Sequence, residues 1–114
     1  MVACSRASLV TPTASNHLVG PLVALLREPA VARHLGRAYL WRADPRPGVE
    51  EIVDRVLPRP QQDELAGAPR WRLRRAVRDR VEADYRAGSP VSVAGWLLSE
   101  AEANLCALAV DHDA

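Results

Sequence analysis

Nine prolines divide the sequence into short segments, and their positions are the strongest constraint on the fold. A proline inside a helix removes a hydrogen bond and clashes with the preceding turn, so prolines tend to stand at helix starts or between helices. Between them, apolar residues recur at three- and four-residue steps, as on a helix with one buried face. The sequence therefore predicts an all-α protein, a single small domain of four to five short helices.

Four segments carry the helical period: about 17–27, 29–42, a third that opens at Asp44 or Pro45 and contains Val49 to Leu57, and 70–87. Pro21 is placed in the first turn of the first helix, where its missing N–H is tolerated. A proline-rich loop precedes the fourth helix, with room for one short turn from Gln61 to Ala66. The longest helix is predicted to end at Gly88, because glycine readily adopts the left-handed backbone conformation that ends many helices.

The second predicted helix carries two packing signals. Val31, Leu35, Ala38 and Tyr39 form one stripe, which we expect to face the core. Gly36 lies inside the same helix, where a glycine costs about 1 kcal/mol relative to alanine. Close approach of another helix is a physical reason for a glycine at this position.

The C-terminal stretch VSVAGWLLSEAEANLCALAV contains an extended segment and a helix start. Val91 and Val93 alternate with small residues, which is enough for an extended segment or a strand pairing of two or three residues, but not for a larger sheet. Ser99 and Glu102 have the spacing of a capping box, in which each side chain binds a backbone N–H of the first turn. The last packing helix is therefore predicted to begin behind Ser99.

Length and charge limit the domain count and the partners. The 114 residues predict one helical domain over 16–110, with a flexible tail over 1–15 and a short tail over 111–114. The net charge of +1 disfavours nucleic-acid and anionic-membrane binding. Since no run has the length of a membrane span or the pattern of a secretory signal, a cytoplasmic protein is expected.

Cysteine and histidine give little sign of catalysis. Cys106 lies towards the end of the last helix, where the helix dipole opposes a thiolate, so we expect a buried structural cysteine. Cys4 lies at the opposite end of the chain, which does not indicate a disulfide framework. The three histidines lack metal-site spacing; His34 either lines a pocket or lies half-exposed beside the apolar stripe. These patterns favour a protein without a catalytic role, metal or cofactor.

Charge is segregated by helix. Segment 70–87 has seven arginines against three acidic residues, a balance of +4, whereas 49–64 has two arginines against five acidic residues, a balance of −3. The arginines are solvated or paired within the fold or across a dimer, or they bind an acidic protein, or, less in keeping with the net charge, nucleic acid. The candidate partner-binding residues are Arg72, Arg75, Arg78 and Arg86.

The aromatic residues offer a second candidate site. Trp41, Trp71 and Trp96 are expected in the core, because each buries a large apolar area. The alternative is a pocket for a small hydrophobic molecule, lined by Trp and Leu with a few polar groups. The candidate ligand-binding residues are His34, Tyr39, Trp41, Trp71, Tyr85 and Trp96.

The segment from Asp84 to Leu108 resembles a C-terminal pattern of small helical bacterial proteins, G-W-x-L-S-x-x-E-x-x-L-C-A-L, and ARHLGRAYL supports the likeness in the N-terminal half. Ala101 stands where that pattern leads us to expect Thr. In size and composition the chain is also similar to small proteins of unassigned role from actinomycete natural-product gene clusters of the calicheamicin (enediyne) type. The resemblance implies no catalytic residues. The likeness is carried by Gly95, Trp96, Leu98, Ser99, Glu102, Leu105 and Cys106.

Two functional hypotheses follow. The first is a non-catalytic accessory protein of bacterial specialised metabolism that binds another protein or itself, as the segregated charge suggests. The second is a small-molecule carrier or self-resistance protein with a Trp/Leu-lined pocket. The first predicts an exposed apolar patch and salt-sensitive association, and the second predicts a pocket around the tryptophans.

Overall fold

A computed structural model describes residues 14–112, and within this range the chain is mostly helical. The predicted helical fold is confirmed, but four to five helices is too low a number for these residues. The tail predicted for 1–15 lies almost wholly outside the described residues, as do Cys4 and residues 113 and 114. The elements are α1 (Ala14–Val23), α2 (Pro29–Trp41), α3 (Val49–Val56), α4 (Arg59–Leu65), α5 (Arg70–Ala87), β1 (Val91–Val93), β2 (Trp96–Leu98) and α6 (Glu100–Leu108).

Helix α6 is the centre of the structure. Ala101 and every residue from Ala103 to Leu108 are buried, so the helix is enclosed on nearly all sides. It packs against α1, α2, α3 and α5. Its seven buried residues are apolar except for Asn104, and a helix with apolar residues on several faces is suited to an interior position. The predicted packing helix is therefore confirmed, and it is buried on more than one face.

The closest helix contact lies between α2 and α6. A Cβ atom at Gly36 would lie 2.3 Å from the carbonyl oxygen of Cys106 and 2.8 Å from Cγ2 of Val110. Both distances are shorter than van der Waals contact, so only a glycine allows the two backbones to approach in this way. This confirms the explanation of Gly36 as a site of helix approach.

This contact also sets which face of α2 is buried. The predicted stripe included Val31, but that side chain is 42% exposed. Because Gly36 faces α6, the buried face is rotated by about one residue from the predicted stripe, and Leu35 belongs to both. The buried residues of α2 are Ala32, Leu35, Gly36 and Leu40.

Three predicted boundaries are corrected. Helix α1 spans Ala14–Val23 rather than 17–27, and Pro21 lies in its last turn instead of its first. Helix α3 begins at Val49, beyond Asp44 and Pro45. The predicted proline-rich loop contains a complete helix, α4, with its prolines in and before the first turn, where the missing N–H groups would have no helical acceptor.

A buried polar network explains how α4 is held. The hydroxyl of Ser15 donates to Oε1 of Gln62 at 3.0 Å, and Nε2 of Gln62 donates to Oδ1 of Asp54 at 2.7 Å and to the carbonyl of Leu57 at 3.0 Å. Arg59 donates to the other oxygen of Asp54, and chiefly this bond lowers the pKa of that carboxyl group. Helices α1, α3 and α4 are thereby joined through hydrogen bonds that leave Gln62 satisfied in the interior.

The strands β1 and β2 form an antiparallel hairpin closed by Ala94 and Gly95. Both turn residues have positive φ, +48° and +84°, as a two-residue type I′ hairpin turn requires. The predicted short strand pairing is thus confirmed. The paired residues are Val91 with Leu98, Ser92 with Leu97, and Val93 with Trp96.

The capping box of α6 is confirmed and also receives the end of α5. Ser99 Oγ accepts from the Glu102 N–H at 3.0 Å, and Glu102 Oε1 accepts from the Ser99 N–H at 2.9 Å. Tyr85 of α5 donates its hydroxyl to the same Glu102 oxygen at 2.6 Å, which raises the tyrosine pKa. Asp84 accepts from the Ala101 N–H at 2.8 Å. These bonds attach the C-terminal turn of α5 to the start of α6.

We expect Gly36→Ala to lower the free energy of unfolding by about 1–3 kcal/mol, because the added methyl group overlaps the α6 backbone. Gly20→Ala is the matched control. Its Cβ would lie 3.7 Å from the His112 ring, at ordinary contact distance, so the better helix propensity of alanine should leave stability unchanged or raise it by up to about 1 kcal/mol. Urea unfolding measures both; equal effects of the two substitutions would contradict the α2–α6 contact.

Candidate functional site

All three tryptophans lie at the surface, contrary to the expectation that they fill the core. Trp41 is 90% exposed, Trp71 63% and Trp96 58%. The interior is filled by Leu, Val, Ala and Ile side chains, and the close α2–α6 contact leaves no room for an indole between those helices. Each indole therefore leaves a large apolar area at the surface of the chain.

Helix α5 presents most of its circumference to solvent. Its buried residues are Leu73 and Val77. At its start, Arg70 Nη2 donates to the carbonyl of Ala24, just after α1, at 2.8 Å. With its other end bound to α6, the helix is fixed at both ends, while most of the side chains between them face outwards.

One part of that outer surface combines tryptophan with arginine, and we call it the arginine–tryptophan face. All of its members are exposed, and within residues 14–112 the side chains of its arginines form no ion pair or hydrogen bond. Cationic groups concentrated in this way attract an acidic surface. The face consists of Trp71, Arg72, Arg74, Arg75 and Arg78.

A cleft of about 450 Å³ runs between α4 and this face. Its α5 wall carries Arg72, Arg75 and Arg80, and its α4 wall carries Gln61 and Glu64. One wall is thus predominantly basic, although Asp79 also lies on it, and the other is acidic. The complete lining is Pro58, Gln61, Glu64, Leu65, Trp71, Arg72, Arg75, Ala76, Asp79 and Arg80.

Two details extend the basic wall. Nε of Arg80 is buried without a hydrogen-bond partner, since its ion contact with Asp84 is 3.6 Å long. Trp71, Arg75 and Asp79 also border a second, open depression of about 550 Å³, whose other lining residues are Arg74, Arg78 and Glu82. The two depressions therefore meet at Trp71 in a surface of α5 that is predominantly basic but also carries the carboxylates of Asp79 and Glu82.

The acidic helices do not neutralise this surface within the fold. Asp54 pairs with Arg59 at 2.8 Å and Glu51 pairs with Arg55 at 2.8 Å, so these ion pairs stay within the α3–α4 segment. The acidic residues of that segment left without an ion pair in the described structure are Glu50, Asp63 and Glu64. Pairing of α5 with the acidic helices inside one chain is therefore not observed.

The predicted ligand-binding residues are dispersed. His34 is exposed on α2, and the Tyr39 hydroxyl accepts from Nδ2 of Asn104 at 3.1 Å. Tyr85 is bound to the capping box, and Trp41 and Trp96 lie in other parts of the surface. Of the six, Trp71 lines the clefts described here. Among the predicted partner-binding residues, Arg72, Arg75 and Arg78 lie together, whereas Arg86 is exposed at the far end of α5.

The most apolar of these clefts contains none of the tryptophans. It has a volume of about 110 Å³, lies between α1, α3 and α6, and is bordered by the ion pair of Arg46 with Asp111 at 2.6 Å. Ligand pockets for drug-sized molecules are about 300–1,000 Å³. This cleft therefore offers room for a few atoms only.

Cys106 is buried, as predicted, and its chemistry is that of a core residue. Burial, followed by the negative charge of Glu102, raises the pKa of its thiol to about 11. A thiol with that pKa is almost wholly protonated at neutral pH and is a poor nucleophile. Within residues 14–112, no group of three His, Cys, Asp or Glu side chains is placed to hold a metal ion.

The predicted site did not include Arg74 of the second depression, or Gln61, Glu64 and Arg80 of the α4–α5 cleft. Arg74 was within reach of sequence analysis, because it lies one helical turn from Trp71 and Arg78. Arg80 belongs to the same helix, but its unsatisfied Nε depends on packing. Gln61 and Glu64 belong to α4, whose position beside α5 no local pattern indicates.

We expect Trp41→Ser and Trp71→Ser each to change the free energy of unfolding by less than about 1 kcal/mol, because both side chains are largely exposed. Leu73→Ala, on the buried face of α5, is the reference and should cost about 2–5 kcal/mol. Urea unfolding gives the comparison. A loss at Trp71 as large as that at Leu73 would show that Trp71 supports the fold.

We expect Cys106 to react slowly with Ellman's reagent in a Cys4→Ser protein. At pH 8 a thiol with a pKa of about 11 is about one part in a thousand thiolate, and burial further hinders access. The reaction should follow local opening of the fold and become fast in denaturing urea. A rate in native protein equal to that of free cysteine would contradict the buried position.

No helix among the described residues is both long enough and apolar enough to cross a membrane. No protein-family model matches the chain, and neither the curated proteins nor the solved structures contain a significant match. Its function has to be inferred from the chemistry of its own surfaces, of which the arginine–tryptophan face is the most distinctive.

Proposed function

We propose that this chain is a non-catalytic accessory protein of bacterial specialised metabolism that acts by protein association, with the arginine–tryptophan face as its binding surface. The observation that carries the proposal is the exposure of Trp71 amid four arginines that have no partner in the described structure. The metabolic setting is what the C-terminal resemblance implies. The binding mode is argued from the structure alone.

Tryptophan and arginine are the side chains that most often dominate the energy of protein interfaces. Trp71 supplies a large apolar surface at a small cost in side-chain entropy, and its neighbours Arg72 and Arg75 supply planar donors that fit a carboxylate in pairs. An acidic partner would remove the mutual repulsion of these arginines. The chemistry thus favours a partner with carboxylates around an apolar contact.

The face is also preorganised for binding. Helix α5 is held at its start by Arg70 and at its end by Asp84 and Tyr85, so binding does not have to order the backbone. Its exposed arginines are mobile side chains, but the positions of their Cα atoms are set by the helix. A lower entropy cost of association follows from such a rigid support.

The alternative, a small-molecule carrier with a Trp/Leu-lined pocket, has less support. Trp41 and Trp96 do not line the clefts described above, and the apolar cleft is small. Catalysis has less support as well, because the shifted pKa values of Asp54, Tyr85 and Cys106 each follow from structural contacts outside the α4–α5 cleft.

A fluorescence titration tests the proposed function. In a Trp41→Phe/Trp96→Phe protein, Trp71 is the single indole, and the probe is an amphipathic helical peptide whose leucine stripe is flanked by glutamates. We expect the Trp71 emission to shift to the blue on binding and the affinity to fall as salt rises. The same peptide with glutamine in place of glutamate should bind at least about tenfold more weakly.

Two charge-matched variants locate the binding surface. Arg72→Gln/Arg75→Gln, made in the same single-Trp protein, should weaken peptide binding by about tenfold or more. Arg33→Gln/Arg37→Gln, on α2, removes the same charge elsewhere and should leave the affinity nearly unchanged. Equal binding by both variants, or no Trp71 response in the parent protein, would count against the arginine–tryptophan face as the binding surface.

A further inference from the structure

The two walls of the α4–α5 cleft carry opposite charge at the surface of one molecule. Arg72 and Arg75 lie on the α5 wall, and Glu64 lies on the α4 wall with the neutral Gln61. All four side chains are exposed, and the three charged ones form no ion pair with one another or with other described residues. The arginines of one copy of this surface could therefore pair with the glutamate of a second copy, and the glutamate with the arginines.

We infer that the partner of the arginine–tryptophan face is a second copy of this chain, docked across the α4–α5 cleft as a symmetric dimer. The inference rests on the proposed function and names the occupant of the binding surface. Symmetric pairing is the commonest form of protein oligomer, and it requires a surface that complements itself. The separate basic and acidic walls meet that requirement.

Charge also selects the geometry of the dimer. A two-fold axis parallel to the cleft places the α5 wall of each copy against the α4 wall of the other, so that Arg72 and Arg75 face Glu64 twice. An axis across the cleft would place α5 against α5 and oppose the arginines of both copies. Like charges brought together at an interface repel one another, so the parallel axis is favoured.

The remaining residues of the cleft suit this arrangement. Trp71 stands at the border of the basic wall, and Pro58 contributes apolar surface to the opposite wall. Docking would bury part of an indole that is 63% exposed in the single chain. The unpaired Asp63 and Glu50 of the α3–α4 segment add to the negative charge on that side of the molecule.

Sedimentation equilibrium and native mass spectrometry of the full chain test the inference. We expect a monomer–dimer equilibrium that weakens as salt is raised from low to moderate concentration. Arg72→Glu/Arg75→Glu makes both walls acidic, and Gln61→Arg/Glu64→Arg makes both walls basic. Each variant alone should dimerise at least about tenfold more weakly than the parent chain.

The decisive sample is the equimolar mixture of these two variants. In the predicted arrangement, each reversed wall meets a wall of opposite sign on the other variant, so a heterodimer should form although each variant pairs only weakly with itself. Arg33→Glu/Arg37→Glu, on α2, should leave the dimer intact. Circular dichroism and urea midpoints verify that the substitutions, of which only the one at Arg33 affects a half-buried side chain, leave the fold unchanged.

A parent chain that stays monomeric at low salt, or a mixture that yields no heterodimer, would overturn the second copy as partner. The peptide titration separates this result from failure of the proposed function. If the chain is monomeric and Trp71 still responds to the acidic peptide, the face binds a different acidic protein. If the monomeric chain also fails to bind the peptide, the association function itself is wrong.

Discussion

The close contact between α2 and α6 is the constraint on which the rest of the structure depends. Gly36 allows the α2 backbone to lie against the Cys106 carbonyl group, and α6 can then be surrounded by four other helices. Alanines make up much of α6, so its neighbours approach with little side-chain volume between them. The core is consequently thin and is filled by small aliphatic residues at high density.

That core explains the unusual placement of the aromatic residues. An indole needs far more space than the alanines and leucines around α6 leave, so the tryptophans remain on the surface. Helix α5 is docked by Leu73 and Val77 and by hydrogen bonds at both ends. These few contacts suffice to hold the helix, and the rest of its circumference is free to carry Trp71 and the arginines.

The polar interactions divide into those that build the fold and those that remain available. Asp54, Gln62 and Glu102 are engaged by neighbouring helices, and their partners fix α4 and the start of α6. Glu64 and Arg75, by contrast, line opposite walls of one cleft without an ion pair. Because surface charges gain little from pairing in water, the chain loses little stability by keeping them free for a partner.

Local sequence alone determined the features that depend on near neighbours in the chain. The capping box follows from the three-residue spacing of Ser99 and Glu102. Helix α5 ends at Gly88 because glycine readily adopts the left-handed conformation. Cys106 is buried because its neighbours in the sequence are apolar. Gly36 indicated a helix contact, because a glycine within a helix is destabilising unless another backbone approaches it closely. The mainly helical fold follows from the three- and four-residue steps of the apolar residues.

Only the tertiary structure decided which surfaces meet. The position of α4 depends on the hydrogen bond between Gln62 and Ser15 of α1. The buried face of α2 depends on the contact of Gly36 with α6. The hairpin depends on Ala94 adopting a positive φ that its side chain does not favour. Trp71 lies outside the core because the interior has no space for an indole. Glu64 lies across the cleft from α5 because of the way the helices pack. Both results depend on residues far apart in the chain, so no local sequence pattern indicates them.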